Sequence, residues 1–572
     1  MKFLQRSYLA HDKDSLDPKG QALNKVYWLY CLFGIVCIFL SRSTFLLLMI
    51  ENFPFYLSLI VAIVLLIMLA NKIKVAYPVL LVLAGLVISF VPGIPTMHID
   101  PDLIFLIFLP PLLYEAAWAI SWKELWHWRR IIGSFAFVVV FLTALSVAFV
   151  ANHFIPGFSL ALGFLLGGIV SPPDAVSAGA ILKFVKVPKR MRSVLEGESL
   201  LNDASSLIIF RFAMIAVATG QFIWYKAAFS FGWMLVGGVG IGLLIGWIFM
   251  KAHQYLPTDA NTDIVLSIVT PYIMYITAEE VHSSGVLAVV SGGLFLSTKR
   301  HLFLSSTSRL RGGNVWESLC FVLNGLVFLL IGLDLPEISA GLEGVSIPSA
   351  IGYGVLITMV LIVGRILSAY GAVIVTLIAR NFITVADARN PGYKVPLILG
   401  WTGMRGVVSL AAALSIPVKL ANGAAFPQRN LILFITFIVI LLTLLLQGLS
   451  LPYLIRKIHM PDLGDSLPEE EADSLIRVQL AEHALQYVRS HYSEQLNTQP
   501  VLQQMARKWE DSILSTDDVL LAEELKKTYG DILNQQRQWL LKKNKEEKML
   551  DEEIVRKHLL RLDLEEEKLR FL

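Results

Sequence analysis

Charge is scarce in this chain: Asp, Glu, Lys and Arg make up 16% of its 572 residues, against 55% hydrophobic residues. With a mean hydropathy of +0.64, that balance excludes a soluble globular protein of this length and calls for many membrane spans. The net charge of +3 is too small a basic excess to suggest nucleic acid. Cysteine is scarcer still. Cys31, Cys37 and Cys320 lie in apolar stretches without metal-ligand spacing, so they read as packing residues rather than disulfides. Phosphate loop, zinc spacing and nucleotide fingerprint are all missing, and no cofactor is expected. A cleavable leader of the usual form is missing too. The first apolar run begins near Tyr27, behind a polar tail, which leaves a signal anchor open.

What the chain does have is a succession of apolar runs. Fourteen are long enough to cross a bilayer, near 27–50, 52–71, 77–93, 102–120, 131–153, 158–181, 199–219, 227–250, 262–282, 285–298, 315–336, 348–379, 395–417 and 430–455. Their loops alternate in charge. Lys72 and Lys74, then Lys123, Arg129 and Arg130, then Lys183, Lys186, Lys189, Arg190 and Arg192 follow the even-numbered segments. Lys299, Arg300, Arg309 and Arg311, then Arg380, Arg389 and Lys394 continue the series, with Lys226, Lys419 and Arg429 as exceptions. The positive-inside rule then predicts a multi-pass protein of the plasma (inner) membrane, both termini cytoplasmic if 27–50 spans. That segment contains Ser41-Arg42-Ser43, and an interfacial helix is the alternative. The resulting organisation is a cytoplasmic N-tail over 1–24, an additional hydrophobic helix over 25–50, a membrane domain over 51–457 and a cytoplasmic tail over 458–572. The tail is rich in Glu, Lys, Arg, Gln and Leu, and Ile532–Leu541 and Glu546–Leu572 read as amphipathic or surface-charged helices. A solvated appendage, a regulator and a dimer contact all fit it, and its partner is unknown.

Against this background, charges inside apolar runs are costly and mark a pathway or a partner. Glu196-Gly197-Glu198-Ser199-Leu200-Leu201-Asn202-Asp203 places three carboxylates, a hydroxyl and an amide at the mouth of one run. Asp174 follows Ser171-Pro172-Pro173, and Glu115 ends Pro110-Pro111-Leu112-Leu113-Tyr114. Carboxylates spread over separate helices suggest a cation or proton site in a transporter. Burial favours the neutral form of a carboxyl group, so one such group can hold a proton or a cation in turn. Asp203, Asp174, Ser199 and backbone carbonyls supply the oxygen ligands a sodium ion wants; Asn202 adds a donor and an acceptor without charge. The plainer alternatives are a helix cap near the membrane surface for Asp203 and a structural or vestibule carboxylate for Glu115. Helix breaks strengthen the transporter reading. Pro172-Pro173 and the stretch Gly400-Trp401-Thr402-Gly403-Met404-Arg405-Gly406 interrupt two apolar segments, one in each half of the chain. Paired interruptions of this kind point to the site of an inverted-repeat transporter, although Pro and Gly can also serve only kinks and close packing. Arg365 lies deep in another apolar run and needs an acidic partner. Glu198 is the best candidate, with snorkelling or Glu317 as alternatives, and Arg405 reads as an accessory group that caps carbonyls or pairs locally.

Glu198-Ser199-Leu200-Leu201-Asn202-Asp203 resembles a signature of the monovalent cation:proton antiporter-1 family. Pro110–Glu115 and Gly403-Met404-Arg405-Gly406 are similar to further segments of it, and Gly364-Arg365 sits where the family has a membrane arginine. The resemblance covers about residues 52–457. It implies an all-α membrane fold of thirteen core spans in two inverted six-helix repeats with broken crossing helices, assembled as a homodimer. The 27–50 segment is then an extra helix. It also implies residue roles: Asp203 carries the ion and the proton, Ser199 and Asp174 are ligands or their supports, Asn202 organises the crossing helices, and Glu198 with Arg365 forms a structural pair. Asn202 in place of a second aspartate implies electroneutral exchange. One departure stands out, because the family usually has a hydroxyl residue before the core aspartate and proline after it. Here Pro173 precedes Asp174 and Ala175 follows, which leaves the Pro173 carbonyl in place of that hydroxyl.

The expected function is exchange of sodium (or lithium) for protons, with potassium/proton exchange as the alternative. An intramembrane aspartyl protease using Asp174 and Asp203 would be expected to carry Gly-x-Gly-Asp, which is absent. A membrane sensor with a signalling tail would need a partner that the sequence does not reveal.

Overall fold

Proline, glycine and a few capping side chains divide the apolar sequence into helices. The computed structural model describes residues 43–91, 101–182, 185, 187–220, 224–333, 335–342, 344–381, 392–420, 423–458, 469–514, 521–546 and 552–569. The expected N-tail and the first part of the 25–50 helix fall outside these residues. The described residues form helices and no strand. In chain order they are α1 (Ser43–Ile73), α2 (Tyr77–Ser89), α3 (Pro101–Ala119), α4 (Trp122–His127), α5 (Arg129–Phe154), α6 (Leu160–Val170), α7 (Ala175–Leu182) and α8 (Lys189–Thr219). There follow α9 (Trp224–Tyr255), α10 (Ala260–Glu280), α11 (Gly285–Phe303), α12 (Ser306–Leu333), α13 (Leu335–Ala340), α14 (Ile347–Ala379), α15 (Lys394–Trp401), α16 (Val407–Leu414) and α17 (Arg429–Ile458). Among the described residues, α5, α12, α14, α17 and most of α8 and α9 are long and apolar enough to cross a bilayer. This is a multi-pass membrane protein.

The helices differ from the expected segments where backbone chemistry overrides hydropathy. The 158–181 segment is two short helices, α6 and α7, and 395–417 is likewise α15 and α16. Conversely, α1 runs unbroken through residues 50–52. Glu51 and Asn52 lower hydropathy there, but neither residue type forbids helical backbone. Two helices widen into π-helical turns, at Ser134–Val139 within α5 and at Thr443–Gln447 within α17. Side-chain oxygens start several helices by accepting an orphan amide. Ser159 takes Leu162 N at 3.2 Å, and Ser284 takes Leu287 N at 3.3 Å. Asp259 takes Thr262 N at 2.9 Å, and the Thr262 hydroxyl and amide hold this exposed carboxyl below the usual carboxylate range.

The membrane helices pack in two groups. One contains α5, α6, α8, α14, α15, α16 and α17; the other contains α1, α2, α3, α9, α10, α11 and α12. Close approach within the first group depends on glycine. A Cβ at Gly163 or Gly167 of α6 would lie 2.6 Å from Ala148 O or 2.5 Å from Ala144 O of α5, so only glycine lets these backbones touch. The groups meet where α8 and α16 lie against α3, and α8 against α11.

The chain divides into two compact units, Met1–Leu463 and Gly464–Leu572. The second is helical, with α18 (Glu469–His491), α19 (Ser493–Thr498), α20 (Pro500–Leu514), α21 (Leu521–Glu546) and α22 (Glu552–Leu569). The expected helix over 532–541 is thus the middle of a longer one. Within this unit α18 packs on α20, and Arg537 of α21 bridges to Asp563 and Glu566 of α22 at 2.7 and 2.6 Å.

Candidate functional site

Pro172 and Pro173 have no amide hydrogen, so α6 cannot continue past Ser171. The next amide that could close the helix, Asp174 N, donates instead to Met404 O at 2.7 Å, in the gap between α15 and α16. This bond ties the two helix breaks together. The Val170 carbonyl, deprived of an intrahelical donor, is taken by Arg405 Nε at 2.7 Å. The same guanidinium reaches Ser171 O at 3.4 Å and Gly403 O. Arg405 is 1% exposed, and its backbone amide is held by Thr443 Oγ1 of α17 at 3.2 Å. A fixed cation therefore neutralises the negative, C-terminal end of the half-helix α6. Arg405 lies at the crossing itself, where its guanidinium bonds three carbonyls.

On the other side of the break Asp174 caps α7. Its Oδ1 accepts Val176 N at 3.0 Å, and its Oδ2 accepts Ser177 N at 3.3 Å and Ser177 Oγ at 2.5 Å. A Cβ at Gly406 would collide with this carboxylate, so the second break leaves room for Asp174 only because residue 406 is glycine.

The long helix α8 crosses behind the breaks. Asn202 Nδ2 donates to Pro173 O at 3.0 Å, which fixes the carbonyl that the sequence reading set aside as a ligand. The Asn202 Oδ1 is buried without a protein donor, and so is Ser171 Oγ. Asp203 is 8% exposed, and among the described residues no donor reaches its carboxylate. Ser199 lies one turn earlier on the same face, partly exposed. Glu198, also on α8, holds Arg365 of α14 in a two-pronged pair at 2.6 and 2.8 Å, both groups at most 2% exposed. Glu317, the other acid considered for Arg365, is exposed on α12. Glu115 stands apart on α3, partly exposed, in the second helix group.

The structure thus brings together Pro173, Asp174, Asn202, Asp203, Glu198, Arg365 and Arg405, with Ser199 at the edge and Glu115 outside. Sequence reasoning missed Ser177 and Thr443. Both are common residue types with no motif around them; only the break at Asp174 hinted that an N-terminal cap partner would follow three residues on. It also missed a buried cluster elsewhere, in which Asp263 pairs with His253 Nδ1 at 2.7 Å and accepts Ser308 Oγ at 2.7 Å.

Chemically, the crossing offers, among the described residues, the Asp203 carboxylate, the Asn202 amide oxygen and the Ser171 hydroxyl without protein donors, beside fixed charges. A model of the transmembrane sodium/hydrogen exchanger family matches residues 58–457. The chain belongs to that family. The chain is 33% identical over 409 residues to a Na+/H+ antiporter of Aphanothece halophytica, a match that covers 70% of this chain and 73% of that protein. It is also 33% identical over 389 residues to a sodium, potassium, lithium and rubidium/H+ antiporter of Bacillus pumilus, over 66% of this chain and 58% of that one. The match therefore spans less than three fifths of the Bacillus relative's length. In fold, the chain is similar to the structure of a sodium proton antiporter of Methanocaldococcus jannaschii, with TM-score 0.57 and 19% identity over 72% of this chain and 99% of that chain.

Proposed function

We propose that this exchanger is a secondary antiporter of the plasma (inner) membrane that trades sodium (or lithium) for protons one for one, by alternating access, and so serves pH and sodium homeostasis. The observation that carries the reading is Asp203: a buried carboxylate that no donor reaches among the described residues, beside two helix breaks whose freed carbonyls at Val170, Pro173 and Met404 already have donors. A group so placed binds either a proton or a cation, and competition between the two is the exchange. Cation ligands would be the Asp203 carboxylate, with Asn202 Oδ1, Ser171 Oγ and Ser199 Oγ within the same crossing. Charge balance supports electroneutrality. Arg365 and Arg405 oppose Glu198, Asp174 and Asp203, so the site carries one net negative charge when every carboxylate is ionised. One proton or one sodium ion cancels it, and the site crosses the membrane neutral either way.

The two helix groups suit alternating access, since the breaks, α8 and the Arg365–Glu198 pair all belong to one group that can move as a unit against the other. We further take the membrane domain as thirteen spans in two inverted repeats, with both termini cytoplasmic if the additional 27–50 segment also spans, and two copies forming a homodimer. Potassium as a substrate is the second reading, favoured by the substrates for which the Bacillus relative is named.

The test is proton flux in proteoliposomes containing the purified protein, with sodium, lithium, potassium or choline added in turn. Sodium- and lithium-driven flux that ignores a clamped membrane potential and disappears in Asp203→Asn is the expected result. Flux with potassium alone would replace the substrate and keep the mechanism. Absence of flux with every cation would end the antiporter reading.

A further inference from the structure

We propose that Ser177 is a positioning residue for cation binding: its buried hydroxyl fixes the Asp174 carboxylate against Gly406, so that Asp174 serves the site as a stationary negative charge and not as a ligand that swings onto the ion. The inference rests on the antiporter reading above and concerns which carboxylate touches the cargo.

Asp174 is held through its amide and through both carboxylate oxygens. Its amide is committed to Met404 O at 2.7 Å, and its two carboxylate oxygens take Val176 N, Ser177 N and Ser177 Oγ at 3.0, 3.3 and 2.5 Å. The Gly406 backbone lies against one side of the carboxylate, because even one added carbon there would meet it. Rotation of Asp174 toward an ion would strip the cap from α7 and leave the Ser177 hydroxyl without an acceptor. Ser177 is 0% exposed, so water cannot take over that bond, and an orphaned buried donor is costly. Asp203 has no such commitments. The division of labour follows: Asp203 makes and breaks contact with proton and cation, while Asp174 holds its charge in place.

A stationary charge acts through Coulomb attraction and favours every monovalent cation alike. A direct ligand would instead discriminate by ion size. The two roles therefore separate in a comparison of cations. In proteoliposomes, Ser177→Ala should raise the KM for sodium and for lithium by the same factor, about tenfold on the scale of one hydrogen bond to a charged group, with Vmax within about twofold. Ser177→Thr, which keeps the hydroxyl, should restore both KM values. Sodium-dependent thermal stabilisation of the detergent-purified variant gives a second readout, and the sodium concentration needed should rise in parallel. An unchanged KM overturns the proposal, as does a changed sodium-to-lithium ratio. A lower melting temperature with an unaltered sodium response also overturns it, by leaving Ser177 only a structural part. If the unmodified protein shows no cation-driven flux, the antiporter reading falls and this inference with it. Flux in the unmodified protein with an unaltered Ser177→Ala variant removes this inference alone.

Discussion

Gly403 separates two guanidinium groups. A Cβ there would lie 2.8 Å from Arg365 Nε and 2.9 Å from Arg405 Nη1, and Glu198 is the acid that pairs directly with Arg365 beside them. Like charges this close are held together only while Glu198 stays ionised and paired. Removing one partner of a buried pair leaves an uncompensated charge, at a cost of about 3–5 kcal/mol. Glu198→Gln should therefore lower the thermal unfolding temperature of the purified protein sharply. The double variant Glu198→Leu with Arg365→Met should recover most of that loss, since an apolar pair of similar volume leaves no orphaned charge. Asn202→Ala should behave differently. It removes one bond, to Pro173 O, worth about 0.5–1.5 kcal/mol, so the melting temperature should move little while transport suffers through the displaced break. Flux and melting curves measured on the same preparation check both expectations. At this scale the sequence was informative wherever a charge interrupted an apolar run: Asp203, Arg365 and Glu198 announce themselves by cost. Ser177 and Thr443 do not, because a serine or threonine costs little anywhere, and only the neighbour it meets gives it a role.

At the scale of elements, two pairs of short helices and one long one make the site. Half-helices α6 and α15 end where proline and glycine stop them, and the freed carbonyls are satisfied by Arg405 and by the reciprocal bond from Asp174 to Met404. Helix contacts around α6 are tight enough to predict. Gly167→Ala places a carbon 2.5 Å from Ala144 O and should destabilise the α5–α6 pair by about 1–3 kcal/mol through overpacking. Gly179→Ala on α7 meets nothing within 4 Å and should be neutral or stabilising by up to about 1 kcal/mol, because alanine is the better helix former. Thermal unfolding of the two variants side by side tests the contrast. The breaks were legible because Pro172-Pro173 and the glycine-rich stretch forbid continuous helix. The π-helical turns in α5 and α17 were not, since Ser134–Val139 and Thr443–Gln447 have ordinary helical sequences. The Thr443 side chain in the latter turn accepts the Arg405 amide directly, across 38 positions of sequence.

For the whole molecule, every residue of the crossing lies between Val170 and Thr443, inside the first compact unit. A chain ending at Ile458 should therefore retain cation-driven proton flux in proteoliposomes, with KM for sodium within about twofold of the full chain. Loss of flux in a well-folded truncation would assign the tail an essential part in transport. The Lys- and Arg-rich loops make a second expectation at this scale. A cysteine introduced near Arg311 should react with an impermeant thiol reagent only from the cytoplasmic side.

Composition and pattern were sufficient for the class of molecule. A chain so poor in charge and so rich in long apolar runs has no stable form outside a bilayer, and inside one its backbone must be helical or a closed barrel, of which continuous apolar runs of about twenty residues fit the helix. The same economy singles out the few buried charges, because each must be neutralised or used. What only the tertiary structure decided is which of them are spent on one another. Glu198 and Arg365 are 167 positions apart, Arg405 and Val170 are 235 apart, and nothing local links either pair. Their meeting is set by the packing of α8, α14 and the two breaks, and that packing is also what commits Asp174 to its cap and leaves Asp203 without a donor.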